Sequence, residues 1–163
     1  MSEHLRTEEL IGGILENYAA RAVFRGFSRG PERKGRATYR LLWHRDQFFE
    51  LILDVPRKTI KFPVVLPQVP ADSAMYREFR EFVDSRFSED VPEHRRVDRS
   101  KVRAQVGNRT GNISLTLTVL DEDFDYAVRK LIHLVHEVYL DFLMDGRYYD
   151  YMIETFNLDP DKM

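Results

Sequence analysis

The chain has 163 residues, of which 43% are hydrophobic and 32% charged, and this size and composition are typical of one folded domain with a single core. It contains no cysteine, which excludes a disulfide framework and thiolate chemistry and is typical of a reducing compartment. The first nine residues are polar and acidic, unlike a secretory signal, and no apolar run approaches the roughly 20 residues that cross a bilayer. We therefore predict a cytoplasmic protein without a membrane span.

The net charge of -2 conceals an uneven distribution of charge along the chain. Residues 21–47 hold eight Arg or Lys and two acids, whereas residues 121–163 hold eleven acids and four bases. Such blocks are usually solvated faces, but a basic block can also bind an acidic partner or pair with the acidic tail of its own chain.

Hydrophobic periodicity predicts the elements in chain order. A helix begins after Thr7, although Gly12 and Gly13 each weaken it by about 1 kcal/mol unless something packs closely there. The period then changes from 3.6 to two, which predicts an antiparallel meander. Its strands are expected at about 22–27, 36–44, 47–55 and 58–66, with a breaker-rich loop from Ser28 to Gly35.

The second half of the chain returns to helical periodicity. A helix capped by Asp72 or Ser73 is followed by a hairpin over 101–119. The final helix runs from about Asp121 to Asp145, and a short aromatic helix or tail follows at about 147–158. We predict one α+β domain over residues 1–163. It contains a single antiparallel sheet of about five to six strands with helices packed on one face, in the order α-β-β-β(-β)-α-β-β-α.

From about Thr7 to Leu143, this order of elements resembles the type III secretion chaperone-like fold shared with the YbjN family. In that fold, helices pack on one side of a curved antiparallel sheet. The first meander departs from the family pattern by one additional strand. The resemblance implies a cytoplasmic homodimer that binds protein segments and has no active site.

Three segments are similar to functional motifs, but each lacks the context that its chemistry requires. Residues 26–30 match the G-x-S-x-G nucleophile elbow around Ser28, yet a loop and another strand follow it in place of a helix. The segment from Gly30 to Gly35 lacks the Lys and the Ser or Thr of a phosphate-binding loop. The acids of residues 121–125 precede Tyr126, where a calcium loop needs glycine. We predict no catalytic residue, no cofactor and no metal site.

His133 and His136 are three residues apart on the final helix, a spacing at which two imidazoles can converge on a metal. A helical wheel centred on Leu131 turns both histidines away from the sheet, together with a second apolar stripe that a solvated helix does not need. Packing of this stripe on the tail or on a second subunit explains it better than a metal site does. The predicted dimer seam consists of Ile132, His133, His136, Leu140 and Leu143.

The polar side of the sheet is predicted to be basic and rich in Thr, and to be either a wet sheet face or a groove for an acidic partner. The candidate partner residues are Arg36, Thr38, Arg40, His44, Lys61, Lys101, Arg103 and Thr116. Apart from Phe48, the outward positions of these strands lack aromatic pairs that would stack bases. The sequence therefore favours a non-enzymatic protein-binding or chaperone-like domain, homodimeric, that takes an acidic protein segment. A nucleic-acid-binding module that uses the same face is the alternative.

Overall fold

The structure is a computed structural model and describes residues 3–144 and 146–156. Six strands form one open antiparallel sheet in the order β1-β2-β3-β4-β6-β5. The strands are β1 (Gly26–Arg33), β2 (Arg36–Leu42), β3 (Phe48–Asp54), β4 (Thr59–Leu66), β5 (Val102–Arg109) and β6 (Asn112–Val119). The helices are α1 (Glu3–Ala20), α2 (Ala74–Ser85), α3 (Phe124–Glu137) and α4 (Tyr149–Phe156). The predicted α+β class, the single antiparallel sheet and the order of the elements are confirmed.

The core lies on one face of this sheet, which we call the inner face. Alternate residues of the central strands point into it and are fully buried, as the period of two predicts. Helices α1 and α3 pack on this face, and Met152 and Phe156 of α4 belong to the same buried cluster. The opposite face of the sheet is called the outer face. Within the two described ranges, no helix is both long and apolar enough to cross a membrane.

Strand β1 lies later in the chain than predicted, because the expected loop after Ser28 is itself part of the strand. The strand tolerates Pro31 because it forms the edge of the sheet and has a register shift between Arg29 and Glu32. The nucleophile-elbow pattern at residues 26–30 therefore lies within an edge strand. The first strand exists as predicted, but its predicted bounds, 22–27, were wrong.

Strand β4 changes the side on which its residues point. The period of two predicts that Phe62, Val64 and Leu66 share the buried face, but Val64 is 40% exposed while Val65 is buried. The cause is a register shift against β6 between Phe62 and Leu66, at the proline in position 63, which has no N–H for the ladder.

The final helix is not continuous to residue 145 as predicted. The α-helical segment ends at Glu137 and continues as a π-helical turn, Val138–Phe142. A π turn inserts one residue and so changes the faces of the side chains that follow it. Tyr139 is buried after this turn, and its hydroxyl donates to the carbonyl of Val65 at 2.8 Å. Val65 is the residue of β4 that the register shift turns inward. Position 145 and the end of the predicted aromatic tail, 157–158, lie outside the described residues.

Candidate functional site

The two edges of the sheet differ in how well they are protected from pairing with another strand. The β1 edge carries Pro31 and an irregular register, both of which hinder strand addition. Strand β5, at the other edge, has eight residues without proline and keeps a regular register against β6 over its whole length. The β5 edge is therefore the one that is suited to accept an additional strand.

The register of the hairpin defines which backbone groups of β5 face this free edge. Leu120 N donates to Lys101 O at 2.8 Å, so this pair is hydrogen-bonded across the strands. Hydrogen-bonded and non-bonded pairs alternate in an antiparallel ladder, which assigns Arg103 and every second residue after it to bonds with β6. The N–H and C=O groups of Ala104 and Val106 consequently point away from β6, toward the free edge.

A groove of about 1090 Å³ lies between this edge and α2, and we call it the edge groove. Its β5 side contains Val102, Ala104 and Val106, of which Ala104 and Val106 are half-buried. Leu120, which is 45% exposed, adds a further apolar surface. The free backbone of β5 thus opens into a concavity that has apolar contacts within reach.

The edge groove has a surplus of positive charge. Its charged lining residues are Arg77, Arg80, Glu81, Asp84, Arg99 and Arg103. Asp84 pairs with Arg99 at 3.3 Å, and Arg99 also lies over the ring of Phe87 at 4.9 Å. Within residues 3–144 and 146–156, the other three arginines of the lining make no salt bridge to a carboxylate. The groove therefore favours an anionic occupant.

The outer face brings together most of the predicted partner residues. In the register of the sheet, Thr38 lies opposite Ile52, which in turn lies opposite Lys61. Lys61 lies opposite Thr116 on β6. Arg36, Arg40 and Arg103 share this outer side.

Acidic residues make this face less basic than the sequence predicts. The guanidinium of Arg36 lies 3.6 Å from the carboxylate of Asp54. Arg40 lies opposite Glu50 and over the exposed ring of Phe48, at 5.2 Å from its centroid. Sequence reasoning could not identify these pairs because the register of β2 against β3 was not known.

Two of the predicted partner residues are not available to a partner on the outer face. Strand β2 ends at Leu42, and the following turn directs His44 inward, where its ring stacks on Tyr139 at 4.5 Å. Lys101 precedes β5, and its ammonium lies 2.7 Å from Asp121 and 3.0 Å from Asp123. Hydrogen bonds from Lys101 to these two carboxylates raise the pKa of the lysine above its usual value. Its charge is therefore neutralised within the chain.

The predicted dimer seam is partly buried within the chain itself. Ile132 is 2% exposed where α1 packs on α3, and Leu143 is 1% exposed in the cluster that includes α4. Of the two alternatives for this stripe, packing within the chain therefore accounts for Ile132 and Leu143, and the helical wheel could not decide this because it contains no information on α1 or on the π turn. His133 and Leu140 remain exposed, and Met144 extends the exposed apolar surface beside Leu140.

A second concavity of about 500 Å³ lies between the end of α1, the turn after β2 and α3. Its apolar walls include Tyr18, Val23 and Ile132, together with the indole of Trp43. The imidazoles of three histidines also line it, at positions 44, 133 and 136, and we call it the histidine pocket. Sequence reasoning found two of these histidines as a helical pair but missed the third, because only the fold brings it to them.

The histidines of the pocket interact with each other. Nε2 of His44 and Nδ1 of His136 are 3.3 Å apart, so one imidazole donates to the other. Burial lowers the pKa of His44 to about 3, and the proximity of His136 and Arg45 adds to this effect. Burial and the nearby Lys130 also lower the pKa of His133. His44 is therefore neutral at physiological pH.

The turn that holds His44 has an unusual backbone. Arg45 and Asp46 both have a φ of 55°, in the left-handed region that non-glycine residues rarely occupy. Such strain persists only where the surrounding structure imposes it, and it is frequent at binding sites. The ring of His44 itself packs between Trp43 and Tyr139, with centroids at 4.4 Å and 4.5 Å.

The remaining candidates for chemistry are scattered. Ser28, exposed on β1, and His94, exposed between α2 and β5, are not among the residues that line the histidine pocket. In the part of the chain that the structure describes, no group of three or more His, Asp or Glu side chains is arranged to hold a metal ion. Comparisons of the chain with known protein families, curated proteins and solved structures found no match.

Proposed function

We propose that the protein is a non-enzymatic protein-binding domain with a chaperone-like action, and that it takes an acidic, extended segment of a partner protein along β5. The observation that carries this proposal is the regular, proline-free strand β5 at the end of the sheet, which lies beside α2 in a groove lined by arginines. The lack of cysteine in 163 residues supports a cytoplasmic site of action.

The partner segment would add a seventh strand to the sheet. Its backbone would exchange hydrogen bonds with Ala104 and Val106, which supply affinity that does not depend on the partner's sequence. Alternate side chains of an extended segment point to opposite sides. Apolar residues on the inner side would contact Ala104 and Val106. Acidic residues on the outer side would reach Arg103, with Arg80 on the α2 side of the groove. An alternation of acidic and apolar residues is therefore the preferred sequence of the partner.

The direct test is an NMR titration with a short peptide in which Glu and Val alternate. We expect saturable shifts of the Ala104 and Val106 amide resonances and slower hydrogen exchange at both, because the peptide carbonyls accept from them. A peptide in which Lys replaces Glu should bind more weakly, and one that is N-methylated at alternate amides should not bind. Shifts that avoid β5 altogether would contradict the proposal.

Substitutions at Val106 separate the backbone contribution from the side-chain contribution. Val106→Pro removes an N–H that faces the free edge, while the bonds to β6 remain intact. We expect this variant to lose binding by about 5-fold or more, since at least one hydrogen bond disappears. Val106→Ala removes a similar apolar contact but keeps the N–H, and serves as the matched control.

The arginines are tested in the same way. Arg80→Gln and Arg103→Gln should each weaken the acidic peptide by about 2- to 5-fold, as is typical for an exposed ion pair. Arg33→Gln, at the opposite edge of the sheet, should leave the affinity unchanged. Equal losses in all three variants would point to a general charge effect and would contradict a site in the edge groove.

Nucleic-acid binding on the outer face is the alternative function. Glu50 and Asp54 interrupt the positive charge there, which favours the protein partner. Titration with duplex and single-stranded DNA or RNA at two salt concentrations distinguishes the two functions, because phosphate contacts weaken steeply with salt. Tight, salt-sensitive binding that is lost in Arg40→Gln and Lys61→Gln, but not in Val106→Pro, would support the alternative and overturn the proposal.

A further inference from the structure

The histidine pocket has the dimensions and the composition of a small-molecule site. Its volume of about 500 Å³ falls within the range of ligand pockets, which are mostly apolar with a few convergent polar groups. The indole of Trp43, the ring of Tyr18 and the side chain of Ile132 supply the apolar walls. The imidazole nitrogens of the histidines supply the polar groups. The pocket lies at the opposite side of the sheet from β5, so it is independent of the proposed function.

The charges of the residues that line the pocket determine whether it favours an anionic or a cationic ligand. Arg25 is the one lining residue with a permanent charge among the residues that the structure describes, and no Asp or Glu lines the pocket there. Arg25 pairs with Asp46 outside the pocket, and both side chains are more than two-thirds exposed, so this pair contributes little and can rearrange. A carboxylate at the mouth of the pocket would meet a guanidinium and imidazole N–H groups, whereas a cation would meet no acid.

We propose that the histidine pocket binds a small monocarboxylate with an aromatic or branched apolar body. The apolar body lies against Trp43 and Ile132, and the carboxylate faces Arg25 and the imidazole of His133. The ring of His44 in the lining stacks on Tyr139 at 4.5 Å and lies 3.3 Å from His136, and a lining held by such contacts reduces the entropy lost on binding.

Trp43 provides the readout, since it is the one tryptophan of the chain and lines the pocket. The probes are 3-phenylpropionate and its uncharged amide, whose phenyl rings do not absorb at the red edge of the indole band. We expect a saturable change of Trp43 fluorescence with the carboxylate and an affinity for the amide at least about 5-fold lower, the loss of a charge-assisted hydrogen bond. Equal affinities would overturn the assignment of the carboxylate, and the absence of any change at millimolar concentration would overturn the site.

Two variants locate the carboxylate. Arg25→Gln and His133→Gln both change exposed residues. Each should weaken the binding of 3-phenylpropionate by about 2- to 5-fold and leave the affinity for the amide unchanged. Lys34→Gln, in the turn between β1 and β2, removes one positive charge far from the pocket and is the matched control. If Lys34→Gln lost as much affinity for 3-phenylpropionate as Arg25→Gln does, the loss would be due to the change of net charge. This result would overturn the proposed contact between Arg25 and the carboxylate. Binding of the acidic peptide to β5 should be the same in all three variants.

Discussion

At the residue scale, Gly12 shows how a locally unfavourable residue can serve a tertiary contact. A Cβ at this position would lie 2.6 Å from Cζ and 2.9 Å from Nη2 of Arg29, whose guanidinium packs against α1 there. The same guanidinium lies 3.3 Å from Glu9 and 3.6 Å from Glu16. The sequence left two explanations of the glycine pair open, a marginal helix or close packing, and could not assign such packing to one of the two residues.

The two glycines should respond differently to alanine. Nothing lies within 4 Å of a Cβ at Gly13, so Gly13→Ala should stabilise the protein by about 0.5 to 1 kcal/mol through helix propensity. Gly12→Ala gains the same propensity but displaces Arg29 from its position on α1, and its net gain should be smaller or negative. Urea unfolding of both variants measures the difference. Equal stabilisation by the two substitutions would show that the Arg29 contact is not needed.

The buried histidine makes stability depend on pH. The pKa of His44 is about 3 in the folded protein and 6.5 in an unfolded chain. Between these values the unfolded state binds the additional proton, so the free energy of unfolding falls as the pH falls below 6.5. We expect a loss of about 1 to 2 kcal/mol on acidification to near pH 5, after allowance for the partial exposure of the ring. The lowered pKa of His133 acts in the same direction.

Urea unfolding at a series of pH values measures this effect. His44→Gln should flatten the stability profile between pH 6.5 and about pH 5, a range above the titration of most carboxyl groups. His94→Gln, which changes an exposed histidine outside the pocket, should leave the slope as it is in the parent protein. A parent profile without a slope in this range would show that His44 titrates near its ordinary pKa.

At the element scale, the sequence predicted most of the secondary structure because the hydrophobic period is clear in β2, β3, β6 and α2. Of its two candidate caps for α2, Asp72 and Ser73, the structure has Ser73, whose side chain accepts from the Tyr76 N–H at 3.1 Å. It failed at β1, where proline in an edge strand has the same pattern as a loop, and in β4, where one register shift reverses the alternation. Strand order and the π turn depend on contacts between distant segments of the chain. The hydrophobic periodicity of one segment gives no information on such contacts.

The π turn and the β4 irregularity are joined by one hydrogen bond. Tyr139→Phe removes the hydroxyl that donates to Val65 O in the buried core and leaves that carbonyl without this donor. We expect a loss of about 1 to 3 kcal/mol in the free energy of unfolding. Tyr149→Phe, at a residue that is 44% exposed, should change stability by less than about 0.5 kcal/mol. If Tyr139→Phe were as stable as Tyr149→Phe, the hydrogen bond between the π turn and β4 would not contribute to stability, which would contradict this prediction.

Glu137 connects α3 to the segment that follows α2. Glu137 is 8% exposed, and its carboxylate accepts from Arg86 at 2.9 Å and from Arg95 at 3.3 Å. Glu137→Ala leaves the half-buried guanidinium of Arg86 without its acid, and we expect a loss of about 3 kcal/mol in urea unfolding. Asp141→Ala is a matched control, because Asp141 pairs with the same Arg95 but is exposed, and its loss should stay below about 1 kcal/mol. Similar losses would contradict a burial effect.

At the scale of the whole molecule, the candidate surfaces depend on which segments cover one another. The outer face was predictable because alternation alone separates Thr38 or Thr116 from the core. The edge groove was not predictable. The same alternation makes Val106 an ordinary inward residue, and it does not show that β5 is the last strand of the sheet. The seam on the final helix was predicted too wide for a related reason: Ile132 and Leu143 are covered by the chain's own helices.

Homodimer formation remains a prediction, and the exposed residues of that stripe define its test. Leu140 is 53% and Met144 is 60% exposed; Leu140 lies in the π turn and Met144 just after it. We propose that a second copy covers them, because apolar side chains grouped in this way favour an interface. Sedimentation equilibrium should then give twice the mass of the chain, and Leu140→Asp should give the monomer with an unchanged circular dichroism spectrum.

The control is Phe48→Asp, which places the same charge on an exposed apolar residue of the outer face. This variant should remain dimeric if the second copy lies on the end of the final helix. A dimer that is lost in Phe48→Asp would place the second copy on the outer face, and one that is lost in Val106→Pro would place it in the edge groove in competition with the acidic segment. Either result would contradict the proposed seam, and so would a parent chain that is monomeric at every concentration. In the proposed dimer only the charge at Leu140 would be buried between the copies, so only Leu140→Asp should separate them.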